Sequence, residues 1–343
     1  MKTRNQALDI VKLIGACFVI FIHIRFAGDL GKVMECLARF AVPFFFASAG
    51  YFCFRQEALV IKRRMWRILK ILAAASAVYL IWGMISLGNG YNTDLADFFA
   101  QRLTVGAIAR FLFLDCNPFG GHLWFLSALF FTYLLFFVYV SRSRSGRELR
   151  YRPLYFFGAF ALLIHIILST GLTAFGISLN YIFYRNTWLF AVPMFLMGIF
   201  LHEYQENIRK RITPVLLGFI VLAGAGVSLL QRFLLGPMDL PLGTIPETAA
   251  LLLLVTEASA GDEKSQKKKH SWVPGRAPLF IYVMHPLYDG ILRFCFPQSS
   301  FLFGKAAGYY YPLLILVVSV VLGIFLALLA QKCGKMERNN KTA

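Results

Sequence analysis

One apolar stretch near the start of the chain holds three ionisable side chains, Asp9, Lys12 and His23. Lys12 and His23 are eleven positions apart. At about 100° per residue that is about 20° from three full turns, so a helix puts both on one face, roughly 16 Å apart along its axis. Asp9 precedes Lys12 by about one turn and can pair with it. An imidazole titrates near neutrality and can act as general base or as nucleophile. Charge within an apolar helix is costly and points to function. A structural reading is also open, in which Asp9 and Lys12 snorkel to an interface and His23 hydrogen-bonds inside a bundle.

A second histidine, His285, stands in Ile-Tyr-Val-Met-His-Pro-Leu-Tyr-Asp. Asp289 is its i+4 neighbour, so the carboxylate can orient the imidazole and stabilise its charged form. Pro286 kinks a helix and frees carbonyls that a cavity can use. The bland alternative is a structural His–Asp pair. His122 opens His-Leu-Trp-Phe-Leu, in which Trp124 suits a membrane interface. Glu247 is candidate polar lining, and His165, with no charged neighbour, reads as a buried structural group. Lys62, Arg63, Arg64 and Arg67 cluster just before an apolar run. Such a cluster serves topology and anionic headgroups, or it binds a pyrophosphate through several cations within about one turn. The histidines and cysteines show no metal-ligand spacing, so no metal is expected. The cysteines show no framework spacing either, although Cys36 and Cys116 could both face an oxidising exterior.

These groups need elements to position them, and the composition says which. The chain has 343 residues, 58% hydrophobic, 16% aromatic and 15% charged, with net charge +18. Its mean hydropathy is +0.64. Soluble domains carry about 25% charged residues. A soluble globule could not hide this much apolar surface, and 35 Phe exclude disorder. The expected fold class is an all-α polytopic membrane protein, a bundle of about ten transmembrane helices. Helices are expected near 8–25, 38–54, 67–88, 122–141, 154–174, 187–203, 213–232, 243–259, 277–296 and 310–331. The first reads as retained rather than as a signal peptide, because Asp9 and Lys12 interrupt it and no small-residue cleavage site follows. A segment from Asp94 to Phe113, capped by Thr93 or Asp94, reads as an interfacial amphipathic helix.

The basic residues set orientation. With the N-terminus in the cytoplasm and strict alternation, 26 of the 35 Lys and Arg fall on the cytoplasmic side. This is the asymmetry that positive-inside topology demands, and it puts both termini in the cytoplasm. A basic pI suggests nucleic acid, but the basic loops lie next to the membrane, so no nucleic-acid partner is expected. Membrane lipids are.

The motifs together resemble the integral-membrane acyltransferase 3 family. Its members begin with Leu-Asp-x-x-(Arg/Lys), ten residues and then His, as in Leu8-Asp9, Lys12 and His23. Val42-Pro43-Phe44-Phe45-Phe46 followed by Ala49-Gly50-Tyr51 is similar to the family's second helix, with Ala49 where Ser is usual and Ser48 displaced by one. Lys62-Arg63-Arg64, His122-Leu123-Trp124-Phe125-Leu126 and Ile281-Tyr282-x-x-His285 match further family segments in order. Lys12 replaces the commoner Arg, a change that the family tolerates.

The resemblance implies one membrane acyltransferase domain over 1–343, without an added extracytoplasmic hydrolase-like or racemase domain, in a bacterial cell membrane. The activity implied is transfer of an acyl group, usually acetyl, from cytoplasmic acyl-CoA to a hydroxyl of an envelope glycan, lipid-linked sugar or small acceptor. Acyl-CoA is the implied co-substrate. His23 would be general base or transient acyl carrier, and Lys12 with Asp9 would hold the phosphate or thioester end. Lys62, Arg63, Arg64 and Arg67 would bind the coenzyme A phosphates. His122, Trp124, His285 and Asp289 would line the acceptor side. Two rivals stand beside this: a transporter or flippase without acyl chemistry, since polar stripes also mark substrate paths, and a membrane module that serves a separate enzyme. A transporter has no need of a nucleotide-phosphate site.

Overall fold

The structure is a computed structural model that describes residues 5–87, 94–143, 149–177, 179–264, 274–296, 301–304 and 307–340. Thr93, Lys2, Arg4, Arg144, Arg147, Lys267, Lys268, Lys269, Lys305 and Lys341 lie outside the described residues. The chain is 83% helix, with no strand among the described residues. In chain order the helices are α1 (Gln6–His23), α2 (Gly28–Ala38), α3 (Ala41–Tyr51), α4 (Ala58–Ile85), α5 (Leu95–Arg102), α6 (Val105–Leu114) and α7 (Trp124–Ser143). They continue as α8 (Tyr151–Ile166), α9 (Leu172–Ala174), α10 (Val192–Arg209), α11 (Pro214–Leu235), α12 (Thr244–Lys264), α13 (Ala277–Cys295) and α14 (Ala307–Asn340).

Eight segments among the described residues are long and apolar enough to cross a membrane. They include α1, α2 with α3 as Gly28–Tyr51, α4, α7, α11 and α14. The other two, Tyr151–Ala174 and Thr187–Arg209, each contain one π-helical turn, at Ile167–Gly171 and Thr187–Ala191. The other two segments expected to span are helical, as α12 and α13, but are not among these eight and are more polar, carrying Glu247 and Glu257 in one and His285, Asp289 and Arg293 in the other.

Three boundaries differ from the sequence expectation. α4 starts at Ala58 rather than near 67, so Lys62–Arg67 belong to its first turns instead of preceding it. The chain between α1 and α3 is helical as well, because Gly28–Ala38 buries one side, Gly31, Glu35, Cys36 and Ala38. The amphipathic segment is two helices, α5 and α6. Asp94 caps the first by accepting from the Asp97 N–H, and Thr104 caps the second by accepting from the Ala107 N–H. Phe98, against Gly83 of α4, and Ala107 are buried, while Leu95, Leu103 and Ile108 stay exposed, as an interfacial element requires.

The chain forms two compact units, residues 1–41 with 251–343, and residues 42–250. In the first, α1 packs on α2, α13 and α14, and α13 packs on α14. Asn5 fixes the start of α1: its Oδ1 accepts from the Leu8 N–H and its Nδ2 donates to the Val255 carbonyl, 2.9 Å each. Pro312 has no N–H to give the Gly308 carbonyl four residues back. That carbonyl instead accepts from the Ala27 N–H at 2.8 Å, which ties the turn after α1 to α14. Glu35, 2% exposed, accepts from Arg39 at 2.6 Å and Arg25 at 3.2 Å. Burying this carboxylate without those donors would be costly.

In the second unit α4 packs on α7, and α8 packs on α10. A Cβ at Gly50 would strike the Phe195 carbonyl, and one at Gly198 the Ala47 carbonyl. The backbones of α3 and α10 therefore touch at two glycines, the small-residue contact by which membrane helices gain dispersion energy. Ser48, two residues before Gly50, is buried and donates to the Phe45 carbonyl at 3.0 Å within its own helix.

Candidate active site

In the first unit, α1 and α13 bring His23 and His285 together. The rings lie 5.2 Å apart, centre to centre, tilted by 43°. His23 is the last residue of α1 and is exposed. His285 is fully buried. Its Nδ1 lies 3.2 Å from the Ile281 carbonyl. A carbonyl only accepts, so Nδ1 carries a proton. Pro286 donates nothing to the Tyr282 carbonyl, so the helix is loosened at this turn. Gly323 of α14 makes room for the turn, since a Cβ there would strike the Ile281 side chain.

Asp289 does not hold His285, contrary to the i+4 expectation. Its Oδ1 accepts from Arg293 Nε at 2.9 Å and from the Tyr311 hydroxyl at 2.7 Å. The Arg293 guanidinium also lies over the rings of Phe303 and Tyr311, at 5.3 and 5.2 Å. Two donors occupy the carboxylate, and the Ile281 carbonyl takes over the orienting role. Asp9 and Lys12 lie lower on α1, both half-buried, on the stripe that leads to His23.

The second unit holds the other expected residues. Lys62, Arg63 and Arg67 project, exposed, from the start of α4. Arg64 turns inward instead: its Nη1 donates to the Phe52 carbonyl at 2.9 Å and to Cys53 Sγ at 3.3 Å. It caps the end of α3 and is the structural member of the cluster. His122 meets the Tyr79 ring edge-on at 4.5 Å. Trp124 packs on Phe46 and Phe190, with the Arg185 guanidinium 5.6 Å over its ring. Glu247 is buried on α12 near Gly224. His165 is buried as expected, with Nδ1 3.0 Å from the Tyr184 carbonyl.

Two polar pairs of this unit were not expected. Arg185 donates through Nε to Asp239 Oδ2 at 2.8 Å and through Nη2 to Oδ1, a bidentate pair. Asp115, 1% exposed and in the left-handed region at φ 60°, accepts from the Thr187 N–H at 2.5 Å and hydroxyl at 2.9 Å. Burial pushes its carboxyl up from 3.8 to about 6, against the opposing pull of the Thr187 hydroxyl and N–H. Asp115 and Asp239 are single acids in connecting segments, and no local spacing signals their distant partners.

This is an all-helical, multi-pass membrane protein with two histidines joined between its first and thirteenth helices. The acyltransferase domain model of the acyltransferase 3 family matches residues 5–331, nearly the whole chain. The chain belongs to that family. No curated protein and no solved structure matches it.

Proposed function

We propose that the protein transfers an acyl group, most simply acetyl, from acyl-CoA to a hydroxyl of an envelope glycan, a lipid-linked sugar or a small acceptor. One observation carries the site assignment: the exposed His23 ring against the buried, carbonyl-oriented His285 ring. Family membership supports the reaction class.

In this reading His23 is the general base. It takes the acceptor hydroxyl proton as the oxygen attacks the thioester carbonyl. The tetrahedral adduct collapses with loss of coenzyme A thiolate, which takes the proton from the imidazolium. Products are the acyl ester and free coenzyme A. If His23 acts as nucleophile, the acyl group passes through its ring nitrogen with the same balance. His285 touches the ring of His23 and positions it. Lys12, with Asp9 one turn below, supplies positive charge for the thioester end. Lys62, Arg63 and Arg67 bind coenzyme A phosphates, while His122, Trp124 and Asp289 are assigned to the acceptor.

The topology belongs to the same proposal: ten spans, both termini cytoplasmic, in a bacterial plasma membrane. The excess of basic residues on one set of loops supports it. Labelled acetyl-CoA with the purified, reconstituted protein tests the reading. Retention of full transfer by both His23→Ala and Lys12→Ala would refute the site. Absence of coenzyme A binding and of any change in envelope acylation on deletion would refute the enzyme.

A further inference from the structure

A cavity of about 800 Å³ opens in the second unit where α8 begins. Three arginines line it, Arg55, Arg150 and Arg152, together with Tyr151 and Glu203. All three arginines are exposed. Arg55 follows α3 in the left-handed region, at φ 51°, and its N–H donates to the Tyr151 hydroxyl at 3.1 Å. A non-glycine residue there is uncommon and has to be held. Here the bond to buried Tyr151 holds it. The Arg55 guanidinium lies 5.1 Å over the Phe54 ring. Glu203 accepts from the Tyr155 hydroxyl and contributes the only carboxylate in the lining among the described residues.

An apolar groove of about 160 Å³ lies on the faces of α7, α8 and α10 of the same unit. Phe136, Tyr139, Leu154, Phe157 and Trp188 line it. Phe157 and Trp188 are 46% and 45% exposed, so the groove opens outward. The two features adjoin. Tyr139 lines the groove, and its hydroxyl donates to the carbonyl of Arg150, which lines the cavity, at 2.6 Å. Pro153 of the cavity and Leu154 of the groove are consecutive.

A cationic cup beside an apolar groove suits one ligand class, a phosphate on a hydrocarbon tail. We propose that this site binds an anionic phospholipid, with the headgroup phosphate among Arg55, Arg150 and Arg152 and an acyl chain along Phe136, Phe157 and Trp188. Charge complementarity selects the headgroup, and the groove selects a lipid over a free nucleotide phosphate. Arg55 of the cup ends the 52–55 turn, whose Phe52 carbonyl accepts from Arg64 at the base of α4. Lipid bound there would therefore steady the base of α4. The site uses none of the residues assigned to acyl transfer and does not rest on that reading.

The test is a native mass spectrometry titration of the full chain in detergent. Its probes are dioctanoyl-phosphatidylglycerol, dioctanoyl-phosphatidylcholine and glycerol 3-phosphate. Wild type is expected to retain phosphatidylglycerol in preference to phosphatidylcholine, and glycerol 3-phosphate should not displace it. Arg150→Gln with Arg152→Gln should weaken phosphatidylglycerol by roughly fivefold per arginine removed. Lys210→Gln with Arg211→Gln, an equal charge loss away from the cup, should not. Leu154→Trp, which fills the groove and leaves the cup intact, should also weaken it. Equal retention of phosphatidylcholine by wild type overturns the proposal, and so does displacement by glycerol 3-phosphate, which would assign the cup to a free phosphate. Unchanged binding in both the arginine and the Leu154 variants overturns it too. Should a variant fail to fold, the comparison of probes on wild type still decides.

Discussion

The exposed imidazole of His23 and the buried imidazole of His285 lie 5.2 Å apart, although 262 positions separate them in the chain. The pair has one outward ring to meet substrate and one inward ring fixed by a backbone carbonyl. That division separates the effects of the two side chains. His23→Ala is expected to abolish acyl transfer. His285→Ala should lower kcat by roughly 10²- to 10⁴-fold, the usual worth of a positioned proton-transfer system, with little change in KM for acyl-CoA. Steady-state turnover of labelled acetyl-CoA measures both. A His285→Ala enzyme with wild-type kcat removes His285 from the site.

Gly323 controls how closely α14 approaches the turn that holds His285. Gly323→Leu drives side-chain atoms into Ile281. Overpacking of this kind costs about 1–3 kcal/mol, and it displaces the carbonyl that His285 uses. Activity should fall more than the thermal midpoint suggests. Gly323→Ala should be milder in both. Activity and thermal unfolding of the two variants in the same detergent check the order.

The basic cluster of α4 should split by role. Lys62→Gln and Arg63→Gln remove exposed charge and are expected to raise KM for acyl-CoA with little effect on stability. Arg64→Gln breaks its bonds to Phe52 and Cys53 and should lower the unfolding midpoint. Hydrogen bonds made by charged groups are worth roughly 1.5–3 kcal/mol. Equal KM effects from all three, with no loss of stability in Arg64→Gln, would contradict the inward role of Arg64.

Asp115 gives the fold a pH dependence. Its folded value, about 6, is above the ordinary 3.8. The native state therefore holds this proton more tightly than the unfolded chain does. Stability contributed here is present below about pH 4, falls as pH rises to about 6, and is flat above that. The full change is on the order of 2–3 kcal/mol. Asp115→Asn should flatten the slope. Its Oδ1 can accept from the Thr187 N–H while its Nδ2 donates to the hydroxyl, which reproduces the protonated acid. Unfolding midpoints of wild type and variant from pH 4 to 7 test the sign.

Arg185→Lys is expected to be damaging despite the conserved charge. An ammonium cannot make both bonds to Asp239 or keep the guanidinium contact over the Trp124 ring. A loss of roughly 1–3 kcal/mol is expected, and Trp124 fluorescence in a variant with the other tryptophans replaced should shift.

Much of this protein was determined by the sequence alone. An apolar run must be a helix in lipid, because no water is present to satisfy its backbone. Eight long apolar segments and the stripe of Asp9, Lys12 and His23 on α1 could therefore be read directly. Helical periodicity is local, so α1 needed no partner to place its own polar face. The tertiary structure decided the rest, because each remaining relationship joins residues far apart in the chain. The i+4 spacing made Asp289 a partner for His285, but Tyr311 on α14 and Arg293 supplied stronger donors and took it away. Lys62, Arg63, Arg64 and Arg67 looked equivalent until the carbonyl at the end of α3 selected Arg64. Asp115 and Thr187, like Arg185 and Asp239, are single polar residues whose partners lie 72 and 54 positions away. Only packing brings such groups within hydrogen-bonding distance, since a buried charge must find its donor wherever the fold provides one.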